Sequence, residues 1–155
     1  SNIIETSSGG ATYHFYGQNN GTDVFRVKLN GNVENTNNIY TAISDQKLKE
    51  NIVDANSQWN DIKAVQVRNF NFTEASGLET HKQIGVIAQE IETVSPGLVA
   101  TDNDIEVDEV TGEGTVTGTT KRVKYSLLYM KSIKALQEAM ARIETLESEV
   151  AALKG

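Results

Sequence analysis

The sequence predicts an α+β protein that assembles with copies of itself, and three observations carry that expectation. Its first 43 residues are short alternating segments broken by asparagine and glycine. Residues 44–125 mix strand and helix patterns, and residues 126–155 read as one long helix with a narrow apolar seam. The 155 residues fit one compact domain or a small domain with an appendage. Apolar residues make up 38% of the chain, below the roughly 45–50% of an average domain, so partner chains are expected to complete the core.

The elements follow in chain order. Ala11–Tyr16 and Asp23–Leu29 alternate with period two, as half-buried strands do, and Gly17–Gly21 between them contains an Asn-Gly step that favours a tight turn. Asn30-Gly31-Asn32 supplies a second turn. The segment holds eight asparagines (Asn2, Asn19, Asn20, Asn30, Asn32, Asn35, Asn37 and Asn38) and no helical period. Such hairpins are marginal alone, so residues 1–43 are expected to be the end of a longer, intertwined β assembly.

In the middle section, Ser57–Ile62 reads as a short helix entered through a Ser or Asn cap. Val65–Phe72 alternates for eight residues and gives the best strand signal in the chain. Glu74–His81 is a turn region. Gln83–Val94 passes from strand to helix, and Ser95-Pro96-Gly97, with the only proline, stops it. Leu98-Val99 resumes a strand, and Thr101–Thr120 reads as a polar β-arm within about 100–121. Trp59, Phe70 and Phe72 are expected in the core.

Ser126–Lys154 contains no Gly or Pro. Ala139, Ile143, Leu146, Val150 and Leu153 repeat with alternating four- and three-residue spacing, the a/d seam of a coiled coil. Tyr129, Ile133, Leu136 and Met140 continue the stripe at a shifted phase. A helix this long can also pack on its own domain. The narrowing of the stripe, and the lack of later elements to cover it, favour a dimer or trimer seam.

Composition excludes several chemistries. With 14 Lys and Arg against 21 Asp and Glu, the formal charge is −7, which argues against a general nucleic-acid or anionic-membrane surface. The absence of cysteine excludes disulfides, thiol nucleophiles and cysteine metal sites. No apolar run approaches the roughly 20 residues of a membrane span, and no leader pattern opens the chain. His14 and His81 lack ligand spacing. Asp102, Asp104, Glu106, Asp108 and Glu109 lack the calcium-loop pattern and read as a solvated acidic stretch. No metal or cofactor is expected.

The candidate chemistry lies in Ser44-Asp45-Gln46-Lys47-Leu48-Lys49-Glu50-Asn51-Ile52. A serine hydroxyl needs a neighbouring base to become a nucleophile, and an uncharged lysine can serve. Ser44 and Lys49 are five residues apart, close enough to meet across one turn. Lys47 is the alternative base, or the charge that favours an uncharged Lys49. The plain alternative is a helix-capping Ser44 with solvated lysines.

That run, with Ile84-Gly85-Val86-Ile87-Ala88-Gln89-Glu90-Ile91-Glu92, Ser95-Pro96 and Val123-Lys124-Tyr125, resembles the peptidase S74 family over about residues 44–154. These are the C-terminal intramolecular chaperones of phage tail spikes and tail fibres, of the endosialidase type. The resemblance implies a homotrimer with three parts. Residues 1–43 would end an intertwined β-stalk of triple β-helix type, 44–125 would form the chaperone domain, and 126–155 the coiled coil, with Ile143, Leu146, Val150 and Leu153 in its seam. It implies a catalytic Ser44–Lys49 dyad that cuts once, at Ile43–Ser44 or, less favourably, Ser44–Asp45, when three copies bring the pair together. The oxyanion donors are expected among backbone amides near Asn51. The partners implied are the chain itself and its own stalk, with neither nucleic acid nor membrane. The stalk would remain in the virion tail, and the chaperone would be released in the host cytoplasm. The competing expectation is a non-catalytic trimeric fibre tip, structural or receptor-binding.

Overall fold

A computed structural model describes residues 13–155, so Ala11 and Thr12 of the expected first strand lie outside the described residues. The chain divides into two compact units. One runs up to Ile52 and includes Phe72–His81; the other comprises Val53–Asn71 and Lys82–Gly155.

The first unit is built on β1 (Tyr13–Asn19), β2 (Thr22–Lys28) and β3 (Val33–Asn35), an antiparallel sheet in sequence order. The β1–β2 turn is Asn20-Gly21, both with positive φ (49° and 79°), the two-residue turn whose twist matches paired strands. Asn30-Gly31 makes the second turn, with Lys28 N donating to Asn32 O at 2.8 Å. Phe15 and Phe25 meet edge to face across the first pair, 5.8 Å between ring centres. Asn30 Nδ2 donates to Glu79 at 2.8 Å, which fastens residues 72–81 to the sheet.

The second unit contains α1 (Trp59–Ala64), β4 (Arg68–Phe70), β5 (Gln83–Gly85), α2 (Ala88–Val94), β6 (Val99–Val107), β7 (Gly114–Val123) and α3 (Tyr125–Lys154). It is mixed α/β with two small antiparallel sheets, β4–β5 and β6–β7, and a long C-terminal helix. The expected strand Val65–Phe72 shrinks to Arg68–Phe70, because its partner β5 offers only three residues to pair with. Alternation marks a strand that could form; the length of its partner decides how much does.

The core is correspondingly small. Ile91 (1% exposed), Leu98 (2%) and Leu128 form the buried cluster, fringed by Ile62, Val65, Val86 and Val99. The aromatic core expected from the sequence does not form. Trp59 is half-buried under Arg142, whose guanidinium carbon lies 4.0 Å from the ring centre. Phe70 is half-buried, and Phe72 is 37% exposed. Gly85 packs tightly here, since a Cβ would come within 2.9 Å of Tyr125 Oη and 3.2 Å of the Phe70 ring. Gly85→Ala is expected to cost about 1–2 kcal/mol in chemical denaturation, as both rings must shift.

The side chain of the N-cap residue does not cap α1, although Ser57 Oγ, one residue earlier, accepts from Trp59 N at 3.4 Å. Its N-cap is Gln58, not the expected Ser or Asn. The missing acceptor comes from α3, where Glu138 accepts from Ser57 Oγ at 2.8 Å and Gln58 N at 3.0 Å. Lys131, also on α3, binds Asp61 at 2.7 Å. The Ser57 hydrogen bond chiefly holds the Glu138 carboxyl below its ordinary value of 4.5, and the Lys131 ammonium chiefly lowers Asp61. A depressed folded-state value means that this contribution is present above about pH 4.5 and is lost as pH falls through the folded value. Glu138→Gln is therefore expected to lower thermal stability at pH 7 and to shrink the difference between pH 7 and pH 3.5.

The polar arm forms as expected. β6 and β7 pair from Val99–Val123 out to Val107–Gly114, with a register shift after Asp104. At the tip, Asp108 Oδ1 accepts from Val110 N and Thr111 N, both at 2.8 Å, and Gly112 takes a φ of 72°. At the root, Lys124 N donates to Leu98 O at 2.8 Å and Lys121 pairs with Glu92 at 2.7 Å. Asp102 of the acidic stretch is paired with Arg122 across the ladder.

Candidate functional site

Ser44 lies in the first unit, after a stretch without regular structure that exposes Ile39, Tyr40 and Ile43. The next residue sets the local geometry. Asp45 caps a single 3₁₀ turn, Gln46–Leu48, through an Oδ1 that accepts from Lys47 N at 3.0 Å. Leu48 N donates to Asp45 O at 3.1 Å, and Lys49 N to Gln46 O at 3.0 Å. The chain then leaves extended at Lys49 and turns through Asn51, whose φ of 53° is left-handed. Asparagine tolerates that conformation better than most side chains do.

One turn of three residues folds its two ends back towards each other. Lys49 Nζ consequently donates to Ser44 Oγ at 2.6 Å. Lys47 does not make this contact; its Nζ lies 3.3 Å from Asp45 Oδ2, the carboxylate oxygen not used for capping. The cap is Asp45, so Ser44 is not the helix-capping serine of the plain alternative. Ser44 and Lys49 meet within one chain, without the second and third copies expected to bring them together. What one chain does not supply is cover, since residues 41–52 are all exposed. Asp45, Gln46, Lys47, Lys49, Glu50, Asn51 and Ile52 line an open depression there.

A lysine that hydrogen-bonds a serine hydroxyl at this distance can exchange a proton with it once the amine is uncharged, the ammonium donor becoming an amine acceptor. The arrangement therefore suits nucleophilic attack by Oγ on a carbonyl close by in the chain.

The other residues singled out lie elsewhere. Ile143, Leu146, Val150 and Leu153 follow one another along the C-terminal half of α3 and are 46–87% exposed. His14 is exposed, and His81 sits 3.3 Å from Glu79. Among the described residues no helix is long and apolar enough to cross a membrane. The capping role of Asp45 went unread in the sequence, although an aspartate ahead of a short turn is a local signal for it.

Residues 44–100 match the Peptidase S74 family, the chaperone of endosialidase. That is the family whose resemblance the sequence carries. The S74 match begins at Ser44, takes in Lys49, and stops at the second residue of β6, shorter than the 44–154 expected. Over these residues the chain is similar to the intramolecular chaperones of the endosialidase type, in a family named among the peptidases. The S74 segment spans parts of both compact units. The chain is also similar to a crystal structure described as a novel intramolecular chaperone, at 22% identity and a TM-score of 0.48, over 64% of this chain and 99% of that one.

Proposed function

We propose that this chain is a self-cleaving intramolecular chaperone that trimerises, folds the β-stalk of a phage tail fibre or spike, and is then released by a Ser44–Lys49 dyad. The observation that carries the reading is the 2.6 Å contact between Lys49 Nζ and Ser44 Oγ at the first residue of the S74 segment.

The chemistry is an N-to-O acyl shift followed by hydrolysis. Uncharged Lys49 takes the hydroxyl proton as Ser44 Oγ attacks the carbonyl carbon of Ile43. The Ile43–Ser44 C–N bond breaks, and the departing nitrogen receives a proton to become the amino terminus of Ser44. Water then opens the Ile43 ester, leaving a carboxylate on Ile43 and restoring the Ser44 hydroxyl. The attacking oxygen and the carbonyl belong to adjacent residues, which favours this bond over Ser44–Asp45. A cut between residues 43 and 44 leaves the β1–β3 sheet with the stalk fragment.

Assembly supplies the missing cover. The seam of Ile143, Leu146, Val150 and Leu153 is exposed on one chain and would be buried in a three-stranded coiled coil. Holding three chain ends together raises their effective concentration and sets strand register, which slow long-range pairing otherwise leaves to chance. The arm β6–β7 extends the surface available to the stalk. The stalk would stay in the virion tail, and the chaperone in the host cytoplasm.

The test is the intact mass of the chain after folding, combined with chemical crosslinking. Two fragments divided at residue 43, in a trimer, are the expected result. One lasting peak near 16.9 kDa would instead support a non-catalytic fibre tip.

A further inference from the structure

We infer that Asp45 is a positioning residue for the self-cleavage proposed above: by capping the Gln46–Leu48 turn, its side chain presents Lys49 to Ser44. The inference rests on that reading of the dyad. Ser44 and Lys49 are separated by four residues, and the contact between their side chains exists only while those residues hold one turn. Two backbone hydrogen bonds close the turn, Leu48 N to Asp45 O and Lys49 N to Gln46 O. A 3₁₀ turn has poorer hydrogen-bond geometry than an α-helix, and this one is fully exposed to competing water.

The two oxygens of Asp45 make different contacts, and the cap is the one that acts. Oδ1 takes the N–H of Lys47 at 3.0 Å, a donor inside the turn that no backbone carbonyl of the turn receives. Oδ2 lies 3.3 Å from Lys47 Nζ, an exposed contact that Asp45→Asn removes while leaving the cap in place. Asp45 takes no proton in the reaction. Its effect is on how often the chain holds the geometry in which Lys49 can.

The experiment follows the fraction of uncut full-length chain over time after refolding, by intact mass, for the parent chain, Asp45→Ala, Asp45→Asn and Ser44→Ala. Loss of a capping carboxylate is expected to slow the Asp45→Ala cut about five- to tenfold. Asn keeps the Oδ1 acceptor and is expected to restore the rate to within about twofold of the parent. A purely structural disturbance of the exposed segment would not be repaired by Asn in this way. Parent-like cutting by Asp45→Ala beside an inert Ser44→Ala overturns the inference and leaves the dyad standing. An Asn variant as slow as Ala overturns it too, by assigning the effect to charge. Cutting by Ser44→Ala at the parent rate removes the dyad and this inference together.

Discussion

Ser44→Ala and Lys49→Ala are each expected to leave the chain whole, with mass analysis showing a single species near 16.9 kDa after days at neutral pH. The serine change removes the nucleophile of the proposed shift, so the loss of cutting should be complete. The lysine change removes a base held 2.6 Å from that atom, and loss of a positioned general base lowers rates by about 10²–10⁴-fold. Lys49→Arg sharpens the test. Arginine keeps the charge and the donor but cannot take a proton at neutral pH, so it should be as inert as alanine. Both positions are exposed and outside the buried cluster, so circular dichroism and crosslinking of the variants should match the parent. Normal cutting by Lys49→Arg would show that the lysine only donates, and the proposed proton transfer would have to be abandoned.

Ile91→Ala is expected to have the largest effect on stability, about 2–5 kcal/mol in urea unfolding. Ile91 is 1% exposed and lies with Leu98 and Leu128 at the centre of the second unit. With three side chains in the cluster, few neighbours can close around the space it leaves. A loss of this size should lower the melting temperature by roughly 10 °C or more. Ile143→Ala is the matching control: the side chain is 54% exposed on one chain, so its removal should change the unfolding of the monomer by no more than about 0.5 kcal/mol. A shift of less than about 5 °C for Ile91→Ala would mean that the stability of this unit resides elsewhere.

What could be read from the residues alone follows the range over which each signal acts. The Asn20-Gly21 turn, the β6–β7 arm and α3 are specified by neighbours in sequence, and each forms where expected. The strand over Val65–Phe72 depended on a partner, and β5 supplies only three residues. Ser57 accepts from the first N–H of α1, but the acceptor for Gln58 N is Glu138, about eighty residues away, which no local pattern announces. The aromatic core failed for a related reason. Trp59, Phe70 and Phe72 are the largest apolar groups in the section, but the converging elements place the aliphatic Ile91, Leu98 and Leu128 at the centre. In the candidate site, the Ser44–Lys49 pair is legible as a five-residue spacing together with a resemblance. The two lysines differ in place as well as in contact: Lys47 is the middle residue of the turn and pairs with Asp45, whereas Lys49 follows the turn and reaches Ser44.

Among the described residues, the arm meets the buried cluster at its root, through Leu98, Val99 and Glu92. Farther out, between Thr101 and Thr120, most positions of the ladder are solvent-facing. Its extent is thus uncoupled from the energetics of the fold and behaves as a gauge that can be reset. Inserting or deleting two residues in each strand would move the Asp108 tip by about 6.8 Å while keeping every side chain on its own face; a change of one residue would exchange the faces. Tuned in such steps, the reach of the arm could be changed without touching Ile91, Leu98 and Leu128.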